Sequence, residues 1–514
     1  MRLLYAHADR AAVDAADGAT AELTDCVAAF VAVEPGDAAA PEAVATSAAD
    51  ELRTVADRLG VDGVVLYRCP HLLDAAAAEG PAATAVDALA ERLPADYDVR
   101  RARVEGDAGG AVDWRGHPLA VGGCRVGPAA DSLQAADDRA VVTPSGDRRD
   151  PGTADGTLRA VADAGRPSTD PPGDDRLREL GFLAEDGATW LPRGAFVRDA
   201  LAARADDLLA EAGAVRVAAA DSHEGRGPAA SVPADIADAD LPVRLRDPGG
   251  WRGADAPEMA VVVADATAGA DEFRRAAAIA REAVGDLGVD AAPVVRTVAG
   301  GADAGPSSAA VAAAVDAPVL AETLPMRVGR WSTALDFVAV VDGRAVRTGA
   351  VRYDPPRSDS ADGGPSRPTV RCAPVGRLDV AIRATVAGDG GLPTWLAPTQ
   401  VRLVPVDAGH AERCDAVVAA LSESGVRADV DDRELSVGDR IGRAEAAGVP
   451  YYAVVGEREA GDGPLPVTER ASGRESAMTV AELAETVREA TAAYPSRRRP
   501  LPARLRDWPP VGGA

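Results

Sequence analysis

VRLVPVDAGHAERCDAVVAALSESGVRADVDD (residues 401–432), continued by RELSVGDRIGRAEAAGVPYYAVVG (433–456), sets the fold class of the chain. Short apolar runs read as strands at VRLVPV, VRADVDD and YYAVVG. Between them, ERCDAVVAALSESG (412–425) and VGDRIGRAEAAG (437–448) carry helical spacing, and each closes on a glycine, Gly425 and Gly448. TVAELAETVREATAAY adds a last helix. Strand and helix in strict turn predict a compact α/β domain over residues 399–495, around a sheet that leans parallel.

Outward from this block, the tail SRRRPLPARLRDWPP within 496–514 is proline-rich and is expected to be flexible and unpacked. Residues 176–398 read as mixed helix and strand. LPRGAFVRDALAARADDLLAEAGAVRV (191–217) is a long helix running into a strand, DEFRRAAAIAREAVGDLG (271–288) a second helix, and ALDFVAVVDGRAVRTGAVRYD (334–354) a hairpin turning at Asp342-Gly343. Residues 136–175, with DRRDPGTADG and GRPSTDPPGDD, are expected to be a linker. Residues 1–135 again alternate strands (MRLLYAH, CVAAFVAV, VDGVVLYRC) with helices (41–60, 80–93), giving a second α/β unit.

The charge is unusual. The chain has 81 acidic and 55 basic residues, a net charge of -26, and every basic residue is arginine. Repulsion on this scale is screened only when molar salt shortens the Debye length to roughly 3 Å, so the composition reads as that of a salt-adapted protein from a GC-rich halophile. It excludes a general basic patch as the means of holding nucleic acid; local arginines and shape would have to serve. The five cysteines (26, 69, 124, 372 and 414) are scattered without a C-x-x-C, which excludes a disulfide framework. No run approaches the roughly 18 apolar residues of a membrane span and no cleavable leader is visible at the start, so a cytoplasmic protein with no membrane partner is expected.

PTWLAPTQVRLVPV (393–406) and VDDRELSVGDRIGRAEAAGVPYYAVVGERE (430–459) resemble the passage into, and the core of, the anticodon-binding domain of the archaeal threonyl-tRNA synthetases. The first 135 residues resemble that family's editing domain, which hydrolyses serine mischarged on threonine tRNA; the matching residues are His7 and Asp9 on the opening strand, Cys69 and His71 in CPHL, and GHPLA at 116–120. The middle resembles the class II catalytic domain, which implies an α+β fold on an antiparallel sheet, with LPRGAFVRDAL like motif 1, LPVRLRD (241–247) like the approach to motif 2, and APVGRLDVAIRATV (373–386) like motif 3. The resemblance implies threonine tRNA as partner, met at the anticodon by Arg433, Glu434, Arg440 and Arg443, with a homodimer left open.

It also implies ATP, magnesium and a Cys/His/His zinc. Adenylate formation concentrates charge that fixed cations must balance, and zinc needs several thiolate or imidazole ligands. Residues 176–398 contain one histidine, His223, and one cysteine, Cys372; Val380 stands at the motif 3 arginine, with Arg377 and Arg383 beside it. No metal site and no cofactor are therefore expected. In the editing region the family's lysine falls on Ala108 and its acid on Val121, leaving His71 as a general base and Cys69 as a nucleophile provided its pKa is lowered. Three functions stay open: a tRNA-binding pseudoenzyme assisting or regulating threonine tRNA charging, alone or with a complete threonyl-tRNA synthetase; a trans-editing hydrolase of seryl-tRNA; and an active threonine ligase. The charge itself generates a first prediction. A circular-dichroism melt should show the melting temperature rising steeply between about 0.1 M and about 3 M KCl; equal melting temperatures would remove the salt-adaptation reading.

Overall fold

The computed structural model of the chain describes residues 1–14, 20–34, 37, 41–69, 77–94, 97–102, 112–114, 121–125, 139–154, 156–164, 173–217, 229, 232–233, 236–249, 256–298, 305–324, 331–356, 367–388 and 391–509. Among these are three sheets, each with its own helices and core.

The first sheet is centred on the hairpin of Arg2–Asp14 and Thr20–Ala32. Gly63–Arg68 lies parallel beside the second of these strands, and Asp98–Ala102 parallel beside Gly63–Arg68. The helices Pro41–Leu59 and Glu79–Arg92 lead from each parallel strand to the next, as parallel neighbours require. Their apolar stripes, among them Val44, Ala48, Leu52, Ala85 and Leu89, bury Leu3, Val27, Val31, Val64 and Leu66 on one face of the sheet.

The middle sheet has ten strands and is almost wholly antiparallel. Thr333–Val341 and Arg344–Asp354 form its central hairpin, turning on Asp342 and Gly343 at φ of 49° and 75°. Both residues are left-handed, as a two-residue turn of this twist demands. The helices Pro192–Glu211, Ala266–Asp286 and Leu378–Ala387 pack over the face that carries Met259, Val261, Leu335, Val351, Tyr353 and Cys372. The other face carries a row of charges beside a smaller apolar patch of Ala292, Val294, Leu320, Val338 and Ala345. The described residues of the expected linker, 139–154 and 156–164, are part of this domain: Arg139–Val142 pairs with Val319–Leu324 at the sheet edge, Arg148–Arg149 pairs outside it, and Val161 of the helix Gly156–Ala164 is buried against Val294, Leu320 and Val338. Asp150, Pro151 and Gly152 mark a turn between short elements rather than a chain without partners.

In the last sheet the strands Ala428–Val430, Val401–Pro405 and Tyr451–Val455 run parallel, as read from the sequence. The antiparallel hairpin Leu465–Glu469 and Arg474–Met478 extends it and was not read there. Helix ends match the sequence signals: Ser436 caps Val437–Ala446, Gly448 follows it at φ 71°, and Thr479 with Glu482 forms a capping box on Val480–Thr491.

The tail is packed, against expectation. The Val430 amide donates to the Ala503 carbonyl at 2.8 Å, Leu505 is buried, and Arg504 and Arg506 reach Asp415 and Asp432. Its prolines suit a segment lying along a sheet edge, where few amides are called on. Removing residues 496–514 therefore exposes the Leu505 pocket and leaves Asp432, buried at its side chain, without its two cations. We expect a loss of roughly 3 kcal/mol or more in urea titrations in molar KCl; an unchanged midpoint would return the tail to a passive role.

Candidate functional site

Three surfaces answer to the residues singled out in the sequence. In the last domain, Asp431 emerges fully buried from the end of Ala428–Val430. Arg433 forks back onto it, Nε and a terminal nitrogen donating to its two carboxylate oxygens at 2.9 and 2.7 Å. Burial alone would raise the Asp431 pKa, but the bonds and charge of Arg433, with Arg402 behind, hold it below the ordinary carboxylate value. Arg440 is buried, 5 % exposed, and donates to the Asp431 carbonyl at 2.9 Å. It therefore shapes the loop and cannot meet RNA from the surface, which corrects its reading as an anticodon contact. A sequence signal was available: Arg440 and Ala444, four residues apart, share the buried face of the helix. Glu434 and Arg443 are exposed. The structure thus brings Arg433, Glu434 and Arg443 to one loop and helix, with Arg433 already holding an acid.

Beneath this loop lies a pair that sequence reasoning missed. Arg402, on the central strand, forks onto Asp429 of the edge strand with both bonds at 2.8 Å, and the Thr399 hydroxyl donates to Asp429 at 2.8 Å. Both side chains are almost wholly buried. The alternation of polar and apolar residues in VRLVP and ADV gave the only hint.

In the first domain the proposed catalytic groups are not brought together. His7 is 5 % exposed, pairs with Val27 across the hairpin, and lies on the helix-covered face, where its Nε2 is 2.8 Å from Asp25 Oδ1. Asp9 is exposed. Cys69 packs with Cys26, Tyr67 and Phe30 on the other face. Burial raises its pKa, and raises that of Cys26 to about 11. A nucleophilic thiol needs the reverse, so the described surroundings of Cys69 do not favour it as a nucleophile. His71, His117, Ala108 and the GHPLA stretch lie outside the described residues, as does His223.

In the middle domain the strand face turned away from the long helices carries a row of opposed charges. Arg296 donates to Glu322 at 2.8 Å and to Asp336 at 2.7 Å; Arg352 donates to Asp336 at 2.6 Å; Arg371 meets Asp354 at 3.0 Å. Burial works against the Asp336 charge, yet Arg352, Arg347 and Arg296 bring its pKa down to about 2. Arg244 and Arg246, in the stretch like the approach to motif 2, sit on the helix-facing side: Arg244 forks onto Glu272, and Arg246 lies 3.3 Å from Asp206. Arg383 donates to Asp174 and Asp379, and Arg377 to Asp379. Cys372 lies in the core among Met259 and Val351, its Sγ directed at the Ala276 carbonyl at 3.6 Å, and burial drives its pKa far up. A zinc ligand must be a thiolate that reaches the open face. Cys372 is neither, so the cysteine of this domain does not fit the family's zinc. Among the described residues no three His, Cys, Asp or Glu side chains converge as metal ligands, and no helix is long and apolar enough to cross a membrane.

Glu258 sits at the end of the charged face. Burial, with Asp354 and Asp247 adding to it against Arg371 and Arg352, pushes its pKa to about 7. A carboxyl raised on folding supports the fold fully below its unfolded value near 4.5 and loses that support as pH climbs through 7. Glu258→Gln should therefore raise unfolding free energy by about 2–3 kcal/mol at pH 8 and leave it nearly unchanged at pH 4. Denaturant titrations at both pH values in constant KCl check this; an equal effect at the two would mean that Glu258 is not the titrating group.

Residues 400–490 match the family described as "Anticodon binding domain", and residues 1–121 match the "Archaea-specific editing domain of threonyl-tRNA synthetase". A threonine–tRNA ligase from Methanothrix thermoacetophila is 28% identical over 588 residues, covering 95% of this chain and 94% of that protein. The one from Methanoculleus marisnigri is 36% identical over 199 residues, 35% of this chain and 33% of that protein, so this match spans about a third of the relative's length. A crystal structure of the RNA binding domain of threonyl-tRNA synthetase from Cryptosporidium parvum Iowa II overlaps 63% of this chain and 98% of its own at a TM-score of 0.47 and 16% identity; so slight a likeness carries no argument.

Proposed function

The chain belongs to the archaeal threonyl-tRNA synthetase family, and we propose that within it this protein is a cytoplasmic tRNA-binding pseudoenzyme. It binds threonine tRNA through its anticodon-binding domain and assists or regulates charging by a complete synthetase. The observation that carries this reading is Cys372, the cysteine of the middle domain, turned into the apolar core with its side chain fully buried among Met259 and Val351. Without a thiolate on the open face, the substrate amine and hydroxyl lose the metal that would read them. Two further features support it. The arginines near the motif 3 position, Arg377 and Arg383, already hold Asp379 and Asp174. His7 and Cys69 lie on opposite faces of the editing-like sheet. The anticodon domain, by contrast, keeps a full sheet and a firmly shaped loop at 431–436.

The experiment combines zinc analysis, threonine-dependent pyrophosphate exchange, seryl-tRNA deacylation and filter binding of threonine tRNA, all in molar KCl. We expect no stoichiometric zinc, no exchange, little deacylation, and tight tRNA binding. Arg443→Ala should weaken that binding by about tenfold, as loss of one guanidinium contact with RNA does. Arg440→Ala should instead lower the melting temperature, because it removes a buried donor from the Asp431 carbonyl. Robust exchange with one bound zinc would restore the ligase. A deacylase abolished by His71→Ala would put the editing hydrolase first.

A further inference from the structure

The tail carries a feature that anticodon reading does not use. SRRRPLPARLR, residues 496–506, holds five arginines and no acid, in a chain where acids outnumber bases by 81 to 55. Arg504 and Arg506 are engaged by Asp415 and Asp432, and Arg499 by the carbonyls of Ala428 and Leu501. The other two differ. Arg498 is exposed and makes no hydrogen bond or ion pair among the described residues. Arg497 stands 3.6 Å from Asp199, beyond good hydrogen-bond reach, with both side chains open to solvent, and its Nε has no partner.

These two arginines form one wall of an open groove of about 390 Å³ at the junction of the middle and last domains. Pro192, Ala195 and Phe196, at the start of the helix Pro192–Glu211, make the apolar part, with Pro500 at the end. The floor is held rigidly: the buried Arg427 guanidinium stacks over the Phe196 ring at 5.0 Å and donates to the carbonyls of Ala397 and Trp395. The ground beneath adds the Arg427 cation, whose hydrogen bonds run to carbonyls. Burial lowers the pKa of Arg427 to about 10, and burial with Arg402 nearby lowers that of Arg193 to about 10. Their hydrogen bonds run to carbonyls, and Asp429 is shared with Arg402. Asp199 also lines the groove beside Arg497, so its two arginines leave a single excess cation there, with Arg498 the unengaged one. A concave groove with that outward guanidinium and small apolar walls suits a sugar–phosphate backbone, whose phosphates take the arginine forks while riboses lie on the prolines. From Arg498 the chain takes eight residues to Arg506 at the edge of the 431–433 loop, so the groove is within roughly 30 Å of that loop. That is the reach of the stem below an anticodon loop.

We propose that the groove between Arg497, Arg498 and the start of the helix Pro192–Glu211 binds the phosphodiester backbone of the same tRNA, outside its anticodon, and makes the tail a sequence-blind grip beside the anticodon reader. This rests on the tRNA-binding reading of the last domain. The full chain is titrated in molar KCl with threonine tRNA and with the same tRNA carrying an altered anticodon. Arg498→Ala, and Arg497→Ala with Arg498→Ala, are the variants, and the melting temperature of each is recorded. Backbone contact predicts that the double variant weakens both tRNAs by the same factor, about tenfold, and lowers the salt slope by roughly 0.7–0.9 per lost contact. Arg443→Ala, by comparison, narrows the difference between the two tRNAs. If the parent binds and the double variant binds equally well, the groove proposal fails alone. A loss of affinity with an unchanged salt slope also overturns it, since that marks a structural effect. If the parent binds neither tRNA, the tRNA-binding reading itself has failed and this inference falls with it.

Discussion

Among the described residues most buried acids are answered by a guanidinium, because the sequence contains no other side-chain cation of fixed charge. Among the described residues Glu272 meets Arg244, Asp336 meets Arg296 and Arg352, Asp429 meets Arg402, Asp431 meets Arg433, and Asp432 meets Arg504 and Arg506. Buried Asp37 is the exception, and it faces the Met1 ammonium. An isolated buried carboxylate costs several kcal/mol, and the planar fork repays this better than a point charge does, because two parallel bonds fix the geometry. These pairs therefore also set positions: each one ties two elements of the chain at a defined distance.

The Arg402–Asp429 pair shows what depends on this. It joins the central and edge strands of the last sheet, and Thr399 adds the connection from the middle domain to the same carboxylate. Arg402 then lies 5.9 Å from the ring of Trp508, which also faces Arg193 of the middle domain at 6.0 Å. Strand pairing, domain junction and tail thus converge on one buried charge. The middle domain uses the same device on its open sheet face, where Arg296, Arg352 and Arg371 neutralise Glu322, Asp336 and Asp354. Arginines satisfied in this way are poor ligands for a substrate phosphate, since each must first release a carboxylate. Arg498, outside the network, keeps its charge available.

Much of the architecture was legible because it rests on local chemistry. Gly425 and Gly448 fix helix ends, and Asp342-Gly343 fixes a hairpin, through contacts within a few residues, whereas the Ser436 cap and the Thr479–Glu482 box, equally local, went unread. The two segments misread, 136–175 and 496–514, share a composition of Pro, Gly and charge that also suits free chain. What folds them is distant: Val319–Leu324 receives one, and the edge strand Ala428–Val430 the other. Composition cannot report a partner lying far along the chain.

The sequence by itself carried the resemblance to the archaeal threonyl-tRNA synthetases, the alternation of strands and helices in its first and last segments, and the lack of lysine that makes arginine the usual partner of a buried acid. It also placed Arg433, Arg440 and Arg443 on one loop and helix, because a helix repeats every 3.6 residues. Only the tertiary structure decided which of them meets solvent: Arg440 turns inward to the Asp431 carbonyl, Arg433 folds onto its carboxylate, and Arg443 stays outside. It likewise decided that Cys372 faces the core and that His7 and Cys69 sit on opposite sides of one sheet. The physical reason is that the chemistry of a side chain is set by its surroundings. Burial, the face of a strand and the nearest opposite charge come from residues far away in sequence, and they become neighbours only when the chain is folded.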